Sequence, residues 1–158
     1  MESLGDIPGI LSWTPQPTVF PSGFSNWLNT TLSMYAPMYS TQSIWNTSYA
    51  WKVDAIHNQS AIPLDERFYR DLFANGSAIG MKMFEQDFMC THNTDTSLTN
   101  SDLSSGDQWM SGMDTAAKDH STTIQWCMIN PCHALASTKV TQLTNARGTD
   151  DNMRLSAD

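Results

Sequence analysis

Residues 79–87, Ile79-Gly80-Met81-Lys82-Met83-Phe84-Glu85-Gln86-Asp87, decide the predicted fold because an apolar run ends there directly in carboxylates. The apolar part has the length of a strand, and strands buried in parallel sheets are short apolar runs. Parallel α/β enzymes place their reactive groups at the carboxyl ends of such strands. We therefore predict a strand at 79–84 and a functional site at its carboxyl end.

A second segment repeats this arrangement. It consists of Val140-Thr141-Gln142-Leu143-Thr144 followed by Asn145-Ala146-Arg147-Gly148-Thr149-Asp150-Asp151. Asp87 and Asp151 are 64 positions apart (151 − 87), which is the length of about two strand-and-helix units of roughly 30 residues each. Two strand-end carboxylates that meet over one substrate are the minimum equipment for cutting or transferring a glycosidic bond.

Strand and helix patterns alternate along the rest of the chain. Strands are predicted at 32–39, 79–84, 122–128 and 140–144, with an irregular, aromatic-bearing segment at 40–62. Alternation at this spacing predicts a parallel sheet with right-handed crossovers, and it favours a barrel over an open sheet.

The first long helix is predicted to begin after Pro63, a residue that is tolerated at the start of a helix. Asp65 and Glu66 then lie in the first turn, where acidic side chains are favourable. Asn75-Gly76 is predicted to end the helix, because glycine commonly follows the last helical residue.

The second long helix follows a polar loop at 91–104 whose length is typical of functional loops. Ser105 and Gln108 form a capping-box pattern at its start. One face of this helix carries Trp109, Met113, Ala116 and Ala117. A short helix is predicted at 133–138, after the third strand.

The composition argues against two classes of function. With 158 residues and 40% hydrophobic content, the chain is long enough for one domain with a real core. A net charge of -8 with only eight Lys plus Arg argues against a nucleic-acid partner, which requires a basic surface. No segment approaches the ~20 consecutive apolar residues of a membrane span.

The N-glycosylation signals favour a secreted, lysosomal or other endomembrane location. The acceptor pattern occurs at Asn29, Asn46, Asn58 and Asn75. The N-terminus itself has neither the basic start nor the apolar run of a signal peptide. We therefore expect a glycoprotein, although the missing leader conflicts with such a location.

No cofactor or metal is predicted. The eight glycines form neither a dinucleotide fingerprint nor a P-loop, which disfavours a nucleotide enzyme. Cys127, Cys132 and His133 share one segment, but their spacing is not that of a dependable zinc site and a fourth ligand is missing. Burial or a disulfide is the expected fate of these cysteines, and the third, Cys90, leaves an odd number.

Three short segments carry a resemblance to a known family. Cys127-Met128-Ile129-Asn130 and the later 145–151 segment resemble the Cys-Met strand end and the Arg-Ala-Ser-Asp-Asp segment of raffinose synthases and alkaline α-galactosidases. Phe84-Glu85-Gln86-Asp87-Phe88 looks like the Tyr-Glu-Gln-Asp-Trp segment of related eukaryotic barrel proteins. Both groups belong to the α-galactosidase-like (β/α)8 glycoside hydrolases, and the resemblance covers roughly residues 20–151.

The resemblance implies a single partial catalytic TIM-barrel domain over 1–158, with residues 1–20 as an extended N-terminal loop segment. The chain would begin near the third barrel strand and stop just after the sixth, which is about half of a barrel that normally needs ~250 residues. The first and last strands would then expose unpaired edges, so we expect an isolated copy to be marginally stable or aggregation-prone.

The resemblance also implies the catalytic roles. Asp87 corresponds to the nucleophile, and Asp151 or Asp150 corresponds to the general acid/base. Asp151 is preferred because its position four residues after Arg147 matches the spacing in lysosomal α-galactosidases of this family. In retaining enzymes the two carboxyl groups lie ~5–5.5 Å apart. Arg147 is expected to bind a sugar hydroxyl and to bias the nearby acids by its charge.

The other expected substrate contacts are Glu85, Trp126 and Cys127. Glu85 stands where many members of the family carry Lys, and it has the alternative role of a structural salt-bridge partner. Trp126 lies next to Cys127 on a strand, so it either lines the cleft or points into the helical layer.

The predicted function is that of a retaining glycoside hydrolase or transglycosylase that acts on α-linked, galactoside-like glycans. The alternative is a non-catalytic carbohydrate-binding or scaffold protein that kept the barrel and lost the chemistry. In either case the expected partner is a carbohydrate, and the sequence leaves the oligomeric state and the sugar linkage open.

Overall fold

The computed structural model of the chain describes residues 9–24 and 31–148. Its strands are β1 (Leu32–Ala36), β2 (Tyr39–Ser40), β3 (Trp51–Val53), β4 (Ser60–Pro63), β5 (Met81–Gln86), β6 (Thr123–Trp126) and β7 (Leu143–Ala146). Its helices are α1 (Glu66–Ala78), α2 (Met89–Thr94), α3 (Ser105–Asp119) and α4 (Pro131–Ala136), with a 3₁₀ turn at Ser137–Lys139. The sequence Phe24-Ser25-Asn26-Trp27-Leu28 also predicts the beginning of a short helix, and all of this segment after Phe24 lies outside the described residues.

The main sheet has four strands in the order β1-β5-β6-β7, and every neighbouring pair is parallel. A helix separates each pair along the chain, with α1 before β5, α3 before β6 and α4 before β7. The predicted fold class, an α/β fold of partial TIM-barrel type, is therefore confirmed. No helix among the described residues is long and apolar enough to cross a membrane.

The hydrophobic core lies between this sheet and the long helices. Phe84, Ile124 and Trp126 of the sheet are fully buried with Phe73 of α1 and Trp109 of α3. The predicted buried face of α3 is confirmed, because all four of its proposed members are buried. The residues that alternate with Phe84 and Ile124 therefore lie on the other face of the sheet.

The predicted strand at 32–39 is divided in two. β1 ends at Ala36 and β2 begins at Tyr39, with Pro37 between them. Proline has no backbone N–H to donate to a sheet ladder, which explains the interruption.

The segment predicted to be irregular, 40–62, instead forms part of an ordered subdomain. β2, β4 and β3 make a three-stranded antiparallel sheet in that order. Its aromatic side chains surround Phe68 of α1, with ring centroids 5.5 Å away for Trp45 and 5.0 Å away for Trp51. Trp45 and Trp51 are partly buried and pack against the core.

Helix α1 starts and ends later than predicted. Pro63 belongs to β4, and Asp65 is the N-cap, accepting a hydrogen bond from the Arg67 backbone N–H at 3.0 Å. Gly76 does not end the helix. A Cβ at Gly76 would lie 2.8 Å from the Sδ and Cε atoms of Met81, so a larger residue there would displace the end of the Met81 side chain. The chain turns instead at Gly80, where φ is +94°.

The capping box predicted for α3 is absent. The helix starts at Ser105, and the Asp102 carboxylate accepts hydrogen bonds from the backbone N–H groups of Ser104 at 2.8 Å and Ser105 at 2.7 Å. Gln108 donates to the Leu64 carbonyl at 2.9 Å. Asp102 therefore supplies the cap from outside the predicted motif.

Three of the four glycosylation signals lie in described residues. Asn46, Asn58 and Asn75 are exposed, and Asn29 lies outside the described residues. The secreted or endomembrane location stays a prediction.

Candidate active site

Three of the predicted site residues come together at the carboxyl ends of β5, β6 and β7. The backbone N–H of Asp87 donates to Ala36 O, that of Cys127 to Gln86 O, and that of Arg147 to Trp126 O, each at 2.9 Å. The parallel ladder thus continues one residue past β5, β6 and β7. Asp87, Cys127 and Arg147 consequently stand side by side at the carboxyl edge of the sheet.

A second row of polar side chains lies one layer below these residues. The register pairs Tyr35 with Glu85, Glu85 with Gln125, and Gln125 with Asn145. Glu85, Gln125 and Asn145 lie two positions before Asp87, Cys127 and Arg147, respectively. Because side chains two positions apart in a strand point to the same side, both rows share one face of the sheet. The Gln125 amide donates to the Glu85 carboxylate at 3.3 Å.

Both carboxylate oxygens of Asp87 are held in place. The Tyr35 hydroxyl donates to Oδ2 at 2.9 Å, and the Phe88 backbone N–H donates to Oδ1 at 2.7 Å. The residue as a whole is only 7% exposed. Asp87 is therefore a fixed carboxylate at a strand end, and its role as a nucleophile stays a prediction.

Tyr35 is the site residue that the sequence analysis missed. Burial, the hydrogen bond to Asp87 and the Asp87 charge raise the pKa of its hydroxyl well above 10. The hydroxyl consequently remains a donor at every pH of interest. The available signal was its alternation with Met34 and Ala36 in a strand, which places Tyr35 on the opposite face from those residues.

The loops after β5 and β6 share an unusual backbone conformation. Phe88 has φ +54° and Met128 has φ +56°, in the left-handed region that costs energy for residues other than glycine. The N–H groups of Met89 and Cys90 donate to the carbonyls of Cys127 at 3.2 Å and Met128 at 2.7 Å. These two bonds cap the start of α2 with the neighbouring loop and fix Asp87 relative to Cys127.

Cys127 lies between the Asp87 carboxylate and the Arg147 guanidinium. The Arg147 guanidinium donates from Nη2 to its Sγ at 2.5 Å. On the other side, its sulfur lies within 4.8 Å of a carboxylate oxygen of Asp87. Burial, followed by this contact with Asp87, raises the pKa of the thiol to about 11 despite the opposing effect of Arg147. The thiol is therefore protonated and unreactive near neutral pH.

Glu85, Asp87 and Cys127 are the described group whose potential ligand atoms lie within 4.8 Å of one another. Donors from Tyr35, Phe88 and Gln125 already occupy oxygens of this group, and the Arg147 cation contacts the sulfur. Since a second cation would be repelled there, we assign no metal to it. Cys132, by contrast, is exposed and donates its thiol proton to Asn130 at 2.8 Å.

One of the predicted site residues, Trp126, is not brought to this edge, and two others lie outside the described residues. Trp126 is fully buried in the core with Phe84 and Ile124, so it points into the helical layer and does not line the cleft. Asp150 and Asp151 lie outside the described residues. Their assignment as acid/base candidates stays a prediction.

His92 of α2 lies beside the site. Its Nδ1 is 2.7 Å from the Phe88 carbonyl, and its ring lies 4.8 Å from that of Trp109. Burial lowers the pKa of His92 to about 4. The ring is consequently neutral at neutral pH and adds no positive charge near Asp87.

The sequence matches no protein-family model and no curated protein sequence. The structure is similar to that of an α-galactosidase from Thermus thermophilus solved in complex with stachyose, with a TM-score of 0.58 and 15% sequence identity. The match covers 90% of this chain and 34% of that one, so the chain spans about a third of the length of that protein. At this identity the likeness concerns the fold alone.

Proposed function

We propose that the chain carries the nucleophile half of a retaining glycoside hydrolase or transglycosylase that acts on α-linked, galactoside-like glycans. The observation that supports this most is the Asp87 carboxylate, which is buried at a strand end with one donor on each oxygen. The likeness to the Thermus α-galactosidase supports the same class of chemistry.

In this mechanism the Asp87 carboxylate attacks the anomeric carbon. The bond to the leaving oxygen breaks as the general acid, Asp151 or Asp150, protonates it, and a glycosyl-Asp87 ester remains. The same acid, now a base, removes a proton from water or from an acceptor hydroxyl, which attacks the anomeric carbon and releases Asp87. Glu85 and Arg147 flank the site and are proposed to contact sugar hydroxyls.

A non-catalytic carbohydrate-binding barrel is the second candidate. It is favoured by Glu85, which stands where many of the similar enzymes carry Lys. A second carboxylate near Asp87 changes the electrostatics of the site and its contacts with a sugar.

The two candidates are separated by trapping the intermediate in the full-length protein. An activated 2-deoxy-2-fluoro α-galactoside should add one sugar mass to the peptide that contains Asp87. Asp87→Asn should lower turnover of an aryl α-galactoside on the order of 10³-fold with the fold retained. Asp95→Asn, an exposed acid of the next loop, is the matched control and should leave turnover unchanged.

Sugar binding with neither label nor turnover in the wild-type protein would instead support the binding protein. Labelling at a different residue would remove Asp87 from the nucleophile role.

A further inference from the structure

A cavity of about 480 Å³ lies between α1, the N-terminal segment and the loop that follows β2. Its wall is largely aromatic, with contributions from Trp13, Phe24, Trp45, Tyr49 and Phe68. Its volume lies within the range of roughly 300–1,000 Å³ that is typical of small-molecule sites. None of its described lining residues belongs to the strand-end site, so the proposed function leaves this aromatic cavity unexplained.

Helix α1 supplies the polar edge of the aromatic cavity. Asp71 and Asn75 are exposed, lie one helical turn apart and both line the cavity. The Tyr49 hydroxyl donates to Oδ2 of Asp71 at 2.6 Å, which orients the carboxylate and leaves lone pairs for further donors. A pyranose ring suits such a cavity, because its C–H faces pack on aromatic rings while its hydroxyl groups donate to a carboxylate.

Asn75 is also the acceptor of the N-glycosylation signal Asn75-Gly76-Ser77. The atom to which a glycan is attached therefore belongs to a residue of the cavity lining. The Ser77 hydroxyl, the other essential group of the signal, is buried and has no hydrogen-bond partner within the described residues. Such a hydroxyl lowers the stability of the folded protein, so its presence is explained by a role before α1 folds, when the signal is recognised.

We propose that Asn75 carries an N-linked glycan whose first N-acetylglucosamine packs into the aromatic cavity beside α1. The donor is an oligosaccharide linked to a lipid diphosphate. Nδ2 of Asn75 forms a bond to the anomeric carbon of the first sugar, the bond between that carbon and the diphosphate oxygen breaks, and the amide proton leaves with the diphosphate. The proposal is independent of the proposed function, because it involves neither Asp87 nor another strand-end residue.

Attachment at Asn75 favours this sugar over a free one. The covalent link makes the packing intramolecular, with an effective concentration on the order of millimolar for a short flexible linker. The unfolded chain carries the same glycan but has no cavity, so the contact stabilises the folded form. The glycan should therefore raise the thermal stability of the protein.

The test produces the full-length protein in a eukaryotic secretory host and in a bacterial host that does not glycosylate. Peptide mass spectrometry should find a glycan on Asn75 in the first preparation. Ser77→Ala removes the signal and leaves the cavity lining intact. The effect of this substitution on Tm should be more unfavourable in the secretory host by roughly 2–4 °C, because there it also removes the packed sugar. Enzymatic trimming of the glycan to its first N-acetylglucosamine should keep this difference.

Two comparisons separate packing from a general effect of glycosylation. Trp45→Ala removes part of the cavity wall, and in this background the difference between the hosts should fall by about half or more, while the loss of core packing is common to both hosts and cancels. Ser48→Ala, which removes the signal at Asn46, is the matched control. It should show no such difference, because the Asn46 side chain instead donates to the Thr41 carbonyl at 2.5 Å within its own loop.

Absence of a glycan on Asn75 in the secretory host, or an equal effect of Ser77→Ala in both hosts, would overturn the proposal. An undiminished difference in Trp45→Ala would place the sugar outside the cavity and overturn it as well. If Trp45→Ala does not fold, Ile44→Ser, at an exposed position of the lining, makes the same comparison. Binding of free N-acetylglucosamine to the bacterial protein, with Asn75 unmodified in the secretory host, would identify a free sugar as the occupant instead.

Discussion

At the scale of single residues, the orientation of Asp87 depends on the Tyr35 hydroxyl. This hydroxyl crosses from β1 to the end of β5 and donates to Oδ2, while the Phe88 N–H holds Oδ1. Gln86 strengthens the same junction, because its buried amide donates to Ala36 O at 2.9 Å and Pro37 O at 3.0 Å. Gln86, the residue before Asp87, therefore ties β5 to the end of β1, the strand that carries Tyr35.

Removal of the Tyr35 hydroxyl should weaken catalysis without unfolding the protein. We expect Tyr35→Phe to lower kcat roughly tenfold with little change in KM, since a hydrogen bond to a charged group is worth roughly 1.5–3 kcal/mol. Steady-state kinetics on an aryl α-galactoside measure this. Tyr49→Phe is the matched control, because it also removes a hydroxyl that donates to a carboxylate, that of Asp71 at 2.6 Å, away from the site. Equal kinetic losses in both variants would contradict a positioning role for Tyr35.

The strand-end residues could be predicted from the sequence, but their neighbours across the sheet could not. Asp87, Cys127 and Arg147 follow apolar runs, and parallel strands bring such positions to one edge. Tyr35 lies inside its strand, and its contact depends on the register between β1 and β5. The orientation of Trp126 could not be predicted either, because a shift of one residue along a strand moves a side chain from the cleft to the core.

At the scale of secondary-structure elements, two short helices hold the loops of the site. Helix α2 follows Asp87 and includes His92, whose ring is buried against Trp109. Helix α4 begins after Asn130, whose side chain accepts from the His133 backbone N–H, while the His133 ring accepts from the Asn130 backbone N–H at 3.3 Å. Burial lowers the pKa of each histidine to about 4.

These buried histidines predict a loss of stability in mild acid. In the unfolded chain a histidine takes up a proton below about pH 6.5, whereas the folded protein resists protonation until about pH 4. The stability that the folded protein gains from keeping these histidines neutral is thus fully present above about pH 6.5. It is lost as the pH falls toward about 4. For His92 alone, we expect a loss of roughly 2 kcal/mol of unfolding free energy between about pH 7 and pH 5, measured by urea denaturation.

His92→Gln should reduce that dependence on pH, because glutamine does not titrate. The variant should lose less unfolding free energy than the wild-type protein over the same pH interval, whatever its stability at neutral pH. An unchanged slope in His92→Gln would show that other groups cause the acid sensitivity.

Most of the elements could be predicted from the sequence, while several of their boundaries could not. The alternation of apolar runs and amphipathic segments gave the order of β1, α1, β5, α3, β6 and β7 correctly. The end of α1 was wrong because the helix continues through Gly76 to Ala78 and the chain turns at Gly80 instead. The cap of α3 was wrong because the Asp102 carboxylate accepts from the backbone N–H groups two and three residues later, a local Asx-turn pattern that the proposed Ser105–Gln108 box overlooked.

At the scale of the whole molecule, the central strands of the parallel sheet are better protected by neighbouring strands than the outer ones. β5 and β6 each have a strand on both sides, whereas β1 and β7 are paired on one side within the described residues. The burial of β7 reflects this, since its last three residues are exposed. The site lies across these strands, so Arg147 follows the least protected of them.

This asymmetry predicts the pattern of amide hydrogen exchange. Amides of β5 and β6 should exchange only through global unfolding, while those of β7 should exchange through local opening at least tenfold faster. Exchange followed by mass spectrometry, on the chain at two concentrations, measures both. Protection of β7 equal to that of β6 would show that its outer edge is covered. Protection that falls on dilution would then identify a second copy as the cover, because association depends on concentration and intramolecular pairing does not.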